Sequence, residues 1–116
     1  MHYLAEVCGS ARVVLSSTSI VDDSLAPPGA HVASLFCQHF SPQLPDEQSW
    51  DAVREQVADQ IIDTVNRYAP NFKASVVGRM VLSPLDLERK FGLIGGDIFH
   101  GGLGFKILLH IYLVVH

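Results

Sequence analysis

Charge is scarce in this sequence and nowhere concentrated. Charged residues fill 17% of the 116 positions, and 8 basic against 12 acidic side chains leave a formal charge of −4. Binding nucleic acid through its phosphates takes a basic patch or stripe, and none is present. The expectation is therefore no nucleic-acid partner. Cysteine is scarcer still. Cys8 and Cys37 are too few for a disulfide framework and match no zinc-site spacing. They read as small buried hydrophobes. A long hydrophobic run is also missing. The longest apolar stretch, 105–115, is interrupted by Lys106 and His110. It falls short of the ~20 residues that a bilayer-spanning helix takes, so no transmembrane segment is expected. The opening Met1-His2-Tyr3-Leu4-Ala5-Glu6 lacks the basic region and apolar core of a signal peptide. A soluble, cytoplasmic chain from a reducing compartment is the expectation.

Length excludes more. A dinucleotide-binding unit plus a substrate domain does not fit in 116 residues, which make one domain, 1–116, with an apolar tail at 105–116. What the chain does have is 48% hydrophobic residues, enough for one modest core. The β-branched run at 12–17 predicts a strand. Asp22 to Gly29, with Pro27 and Pro28, predicts a turn. Residues 31–40 are largely apolar, with Ser34, Gln38 and their parity set apart, and predict a strand buried mostly on one side.

The strongest periodicity lies in 50–69. Trp50, Val53, Val57, Ile61, Val65 and Tyr68 recur at three- and four-residue steps and form one apolar stripe of a helix. Ser49 supplies the N-cap, with Asp51 answering the helix dipole. Asp51, Glu55, Asp59 and Asp63 form an acidic row on another face. At 1.5 Å rise per residue the row spans about 18 Å. Those carboxylates cannot converge on one ion, and a solvated face is the reading. Residues 75–82 predict a third strand, with Gly78 marking a bulge or a close backbone approach. A short helix follows, capped by Ser83, with Pro84 at its first position, Asp86 as the capping-box acid and Gly92 as the C-cap.

Together these elements predict an α+β fold: a small, mostly antiparallel or mixed sheet of three to four strands with the long helix packed on one face. The order strand, helix, strand from 31 to 82 permits those two strands to run parallel. The segment 105–115 reads as a fourth strand, with a buried helix as the alternative.

Chemistry is thinly marked. The six histidines show no helical zinc spacing, and His31 and His39 lie about 26 Å apart along a strand, too far to chelate together. No metal site is expected. No nucleophile elbow is present, and no catalytic residue stands out. The glycine cluster from Gly95 to Gly104 holds five glycines in ten residues, which points to sharp turns or close approach. It has neither the Gly-Lys-Ser/Thr ending of a phosphate loop nor the spacing of a dinucleotide fingerprint.

Four segments carry a resemblance, in order: Asp22-Asp23-Ser24-Leu25-Ala26-Pro27-Pro28-Gly29-Ala30-His31-Val32; Tyr68-Ala69-Pro70-Asn71-Phe72; Ser83-Pro84-Leu85-Asp86-Leu87-Glu88-Arg89 with Phe91-Gly92; and Gly95-Gly96-Asp97-Ile98-Phe99-His100-Gly101. They resemble the C-terminal third of phytoene-dehydrogenase-like flavoproteins, over about residues 20–102. The resemblance implies descent from an FAD-dependent oxidoreductase of amine-oxidase-like architecture, in which this stretch belongs to the substrate domain. It places Gly95, Gly96 and His100 near the substrate cavity. The family's FAD fingerprint is absent from these residues, and 105–116 departs from the family pattern, as a truncated or frame-shifted reading frame would. No FAD is therefore expected on this chain, and catalysis by it alone is not expected. The alternative is a small self-associating interaction module; a free-standing small enzyme comes third. A homo-oligomer is expected, through the C-terminal segment, the free sheet surface, or both.

Overall fold

The computed structural model describes residues 12–38, 40, 44, 47–96 and 109–115. They form an α+β fold with one four-stranded sheet. The strands are β1 (Arg12–Ser16), β2 (His31–Gln38), β3 (Val76–Leu82) and β4 (Leu109–Val115). The helices are α1 (Trp50–Tyr68), α2 (Phe72–Ser75) and α3 (Pro84–Phe91). The spatial order is β1-β2-β4-β3, and every neighbouring pair is antiparallel.

β4 occupies an inner position. It pairs with β2 from His31↔Val115 to Cys37↔Leu109 and with β3 from Val76↔Val115 to Leu82↔His110. β2 and β3 both run antiparallel to it, so they point the same way, as the strand-helix-strand order permits, but β4 lies between them. Of the segment 105–115, read as either strand or buried helix, the described residues Leu109–Val115 form a strand. Its Leu109, Ile111 and Leu113 are buried in the core. Its inner side thus completes the core in cis, and its outer side stays on the open face of the sheet. Its β-branched content and alternation fit a pleated strand covered on one side.

The pleat separates two faces. Ala33, Leu35 and Cys37 from β2 point inward with the buried residues of β4 and with Val81. Trp50, Val53, Val57, Ala58, Ile61 and Ile62 of α1 belong to the same cluster. Phe40 meets Trp50 edge-on, with ring centroids 5.9 Å apart, a favoured aromatic geometry. The apolar stripe stops earlier than its periodicity implies. Val65 packs at the margin of the core, and Tyr68 is 88% exposed. The final turn runs beyond the buried layer, and solvent replaces the partner that the spacing alone would assign. Ser49 caps α1 as expected, its Oγ accepting from the Asp51 N–H at 3.2 Å.

Two local readings have visible causes. The β3–β4 register shifts between Val76 and Gly78, leaving Val77 as the extra residue of a bulge. Nothing lies within 4 Å of where a Cβ on Gly78 would sit. The glycine therefore marks the bulge and not a close approach. Before β2, residues Asp23–Leu25 make one 3-10 turn, capped by Asp22. The double proline follows and leads directly into the strand.

The acidic row is solvent-facing, and each member has a cation. Asp51 accepts from Arg89 of α3, Glu55 and Asp59 from Arg79 of β3, and Asp63 from Lys73 of α2. Exposed pairs of this kind contribute roughly 0–1 kcal/mol each. Their joint effect is to fix which side of α1 looks away from the sheet. Among the described residues, no group of three or more His, Cys, Asp or Glu is placed to hold a metal. No helix there is long and apolar enough to cross a membrane.

Candidate functional site

Two regions compete as the site: the glycine turn after α3 and the open face of the sheet. The glycine turn is built on a rigid base. Ser83 and Asp86 form a complete capping box, with the Ser83 N–H donating to Asp86 Oδ2 at 2.9 Å and the Asp86 N–H donating to Ser83 Oγ at 3.2 Å. The Ser83 hydroxyl donates to the same carboxylate at 2.8 Å. Arg54 of α1 reaches across and donates through one guanidinium nitrogen to both Asp86 oxygens, at 3.0 and 2.9 Å. Burial pushes the Asp86 carboxyl up, but the Ser83 and Arg54 donors outweigh it and hold it below the usual carboxylate range. α3 is thereby tied to α1 at its first turn.

The sequence marked Ser83, Pro84, Asp86 and Gly92, and all four stand as expected; Gly92 adopts φ +67 at the C-cap. Arg54 went unmarked. The signal was there: it lies four residues from both Trp50 and Ala58, on the buried side of α1, where a cation needs an anion.

After Gly92 the chain makes a 3-10 turn, Ile94–Gly96, with Gly95 at φ +65 and Gly96 at φ +75. A Cβ on Gly96 would stand 2.6 Å from the Pro84 carbonyl oxygen and 2.7 Å from its Cα. This is the close approach that the glycine cluster implies. The two amides are already used: Gly95 N–H donates to Glu88 Oε2 at 3.2 Å, and Gly96 N–H to the Leu93 carbonyl at 2.8 Å. Neither is left to cradle a ligand. Their role here is to fold the chain back onto α3. His100 lies outside the described residues, as do Cys8 and His39. Cys37 is buried in the core.

The second region is the sheet face opposite α1. Phe36 on β2 meets His110 on β4 edge-on at 4.9 Å, and His110 stacks along β4 on Tyr112 at 6.1 Å and 11°. Beside them lies a shallow groove of about 280 Å³, whose walls include Val32, Met80, Tyr112 and Val114. Gly78, with no side chain, opens its edge. Burial pushes the His110 imidazole below its ordinary value, so the neutral ring is favoured. No general acid–base pair or activated nucleophile converges on this groove among its lining residues. Its lining is apolar and aromatic apart from Arg79, whose guanidinium is engaged by Glu55 and Asp59.

A third cluster joins the start of β2 to the turn before it. Ser19 Oγ accepts from the Val32 N–H at 3.0 Å and stands 3.3 Å from His31 Nδ1. Ser17 donates to the Val32 carbonyl at 2.9 Å. Ser19 is buried, so the pair serves to satisfy backbone groups and offers no accessible nucleophile.

The chain is similar to one segment of longer proteins named for a pyridine nucleotide-disulfide oxidoreductase domain. Over 92 residues, 78% of this chain, it is 47% identical to pyridine nucleotide-disulfide oxidoreductase domain-containing protein 2 of Rattus norvegicus. It is 45% identical over the same length to the protein of that name from Mus musculus. The chain spans 16% of the length of each of these relatives. No family model and no solved structure matches it.

Proposed function

We propose that these residues form part of the substrate domain of an FAD-dependent, phytoene-dehydrogenase-like oxidoreductase and do not catalyse by themselves. The observation that carries this reading is the 47% identity over 78% of the chain to a segment making up 16% of a longer oxidoreductase-domain protein. The fold supports it. A four-stranded antiparallel sheet covered by α1 on one side is the kind of layer on which such a substrate domain is built. The turn through Gly95 and Gly96, tied to α3, would border the cavity, with His100 beyond it. The phosphate-cradling loop that supplies pyrophosphate binding in dinucleotide sites is missing from this sequence.

The test has two arms. Titrating FAD into the 116-residue chain and following flavin fluorescence is expected to show no saturable binding. Saturation at micromolar FAD would overturn the non-catalytic reading. Exchanging the aligned segment of the rat relative for this chain is expected to give a soluble chimera that keeps whatever flavin the parent holds. A chimera that folds but loses its flavin, or that cannot fold, would overturn the substrate-domain reading.

A further inference from the structure

The open sheet face has a composition unlike the rest of the surface. Outward positions alternate with the buried ones along each strand. On β2 they are Val32, Ser34, Phe36 and Gln38. On β4 they are His110, Tyr112 and Val114, and the register sets Gly78 and Met80 beside them, with the buried Leu82 closing that row. On β1, Val14 stands opposite Phe36 and Ser16 opposite Ser34. Apart from Arg12, at the register position opposite Gln38, none of these is Asp, Glu, Lys or Arg. The acidic side chains Asp51, Glu55, Asp59 and Asp63 all lie on α1, across the sheet.

From this we infer that the open sheet face is a docking surface for a second copy of the chain, face to face about a two-fold axis. The inference goes beyond the oxidoreductase reading and does not rest on it.

Three observations select a second copy as the occupant. The first is charge. Two molecules of net charge −4 repel through most of their surfaces. A face with so few charges is where two such copies meet at least electrostatic cost, and the Arg79 beside its groove is already engaged by Glu55 and Asp59. The second is side-chain type. Tyr112 is 36% exposed, Met80 50% and Val14 56%. Aromatic residues and methionine are enriched at interface cores, where charged residues are depleted. The Phe36–His110–Tyr112 row gives such a core a pre-ordered centre. The third is size. Four strands about 4.8 Å apart and roughly 20 Å long present about 400 Å² in plan per copy, before side-chain relief is counted. The pair then buries roughly 1,000 Å², the low end for a specific interface. That matches a dimer that forms at high micromolar concentration and dissociates on dilution. Sheets packed this way stack about 10 Å apart, with their strands inclined about 30°.

The test is sedimentation of the full chain across a dilution series. The expected result is a species of twice 12.7 kDa that dissociates on dilution. Met80→Glu places a charge on a half-exposed side chain, tolerable in a monomer and costly between two faces. It is expected to give monomer with an unchanged far-ultraviolet circular dichroism spectrum. Should Met80→Glu fail to fold, Val14→Glu on β1 tests the same face. Lys90→Glu on α3 is expected to leave the dimer intact. A monodisperse monomer at high micromolar concentration overturns the inference. So does a dimer that survives glutamate at both Met80 and Val14, since its interface would lie elsewhere.

Discussion

The two faces of the sheet are built from the same strands by alternate residues, and they behave as different materials. On the inner face Leu35, Ile111 and Leu113 are closed off by α1, and each is at most 1% exposed. On the outer face Met80 and Tyr112 keep contact with solvent. A methylene removed inside leaves a cavity, because the neighbours are fixed; one removed outside is replaced by water. Position on the pleat, and not residue type, therefore sets what each apolar side chain contributes.

The largest effect should come from breaking the inner face. Ile111→Ala is expected to cost ~2–5 kcal/mol in denaturant unfolding, the usual range for a core truncation. Met80→Ala, close by on the other face, should cost within about 0.5 kcal/mol, as surface changes do. Equal losses would show that the two faces are not distinct.

Next in size is Asp86→Ala. It removes the capping-box acid of α3 and leaves Arg54 only its longer, 3.7 Å pairing with Glu55. A loss of about 2–3 kcal/mol is expected, above a simple cap deletion because the carboxylate is buried. A loss equal to that of the exposed pairs would place Asp86 in solvent.

His110 gives a pH handle on the outer face. Its imidazole is held below the ordinary value of 6.5 by burial. The unfolded chain therefore takes up the proton at a higher pH than the folded one. Stability from this group is fully present above pH 6.5 and declines as pH falls through it. The thermal midpoint should drop between neutral and mildly acidic pH, and His110→Phe should flatten that part of the profile. An unchanged slope in the variant would assign the drop to other groups. Glu55→Ala, like Met80→Ala, has a small expected effect. Arg79 keeps Asp59 as a partner, so the loss in denaturant unfolding should be about 0.2–1 kcal/mol.

These contrasts also separate what the sequence displayed from what it concealed. Local signals were readable. The caps of α3, the N-cap of α1 and the bulge at Gly78 each depend on residues within a few positions of one another. The α+β class and the alternation in β2 were readable for the same reason. Strand order was not. That β4 inserts between β2 and β3 depends on pairing across tens of residues, and no local pattern records it. Tyr68 misled because helical spacing continues past the point where the core ends. Arg54 escaped notice because its partner lies on another helix. Of the candidate site residues, Gly95 and Gly96 stand in a turn whose tightness the glycine count implied, but the partners that consume their amides, Glu88 and Leu93, could not be read from spacing.

The inner place of β4 also governs the order of assembly. It follows the other described strands, yet β2 and β3 have no direct pairing and meet only through it. During synthesis the β1–β2 hairpin and β3 exist first, each with a backbone edge waiting for Leu109–Val115. Those edges, carrying Leu35 and Val81 inward, are templates for any extended apolar segment that arrives sooner. The pairings that close the sheet are long in sequence separation and slow to form for that reason. A newly made chain is thus most vulnerable to misassociation in the interval before β4 slides between two strands that are already there.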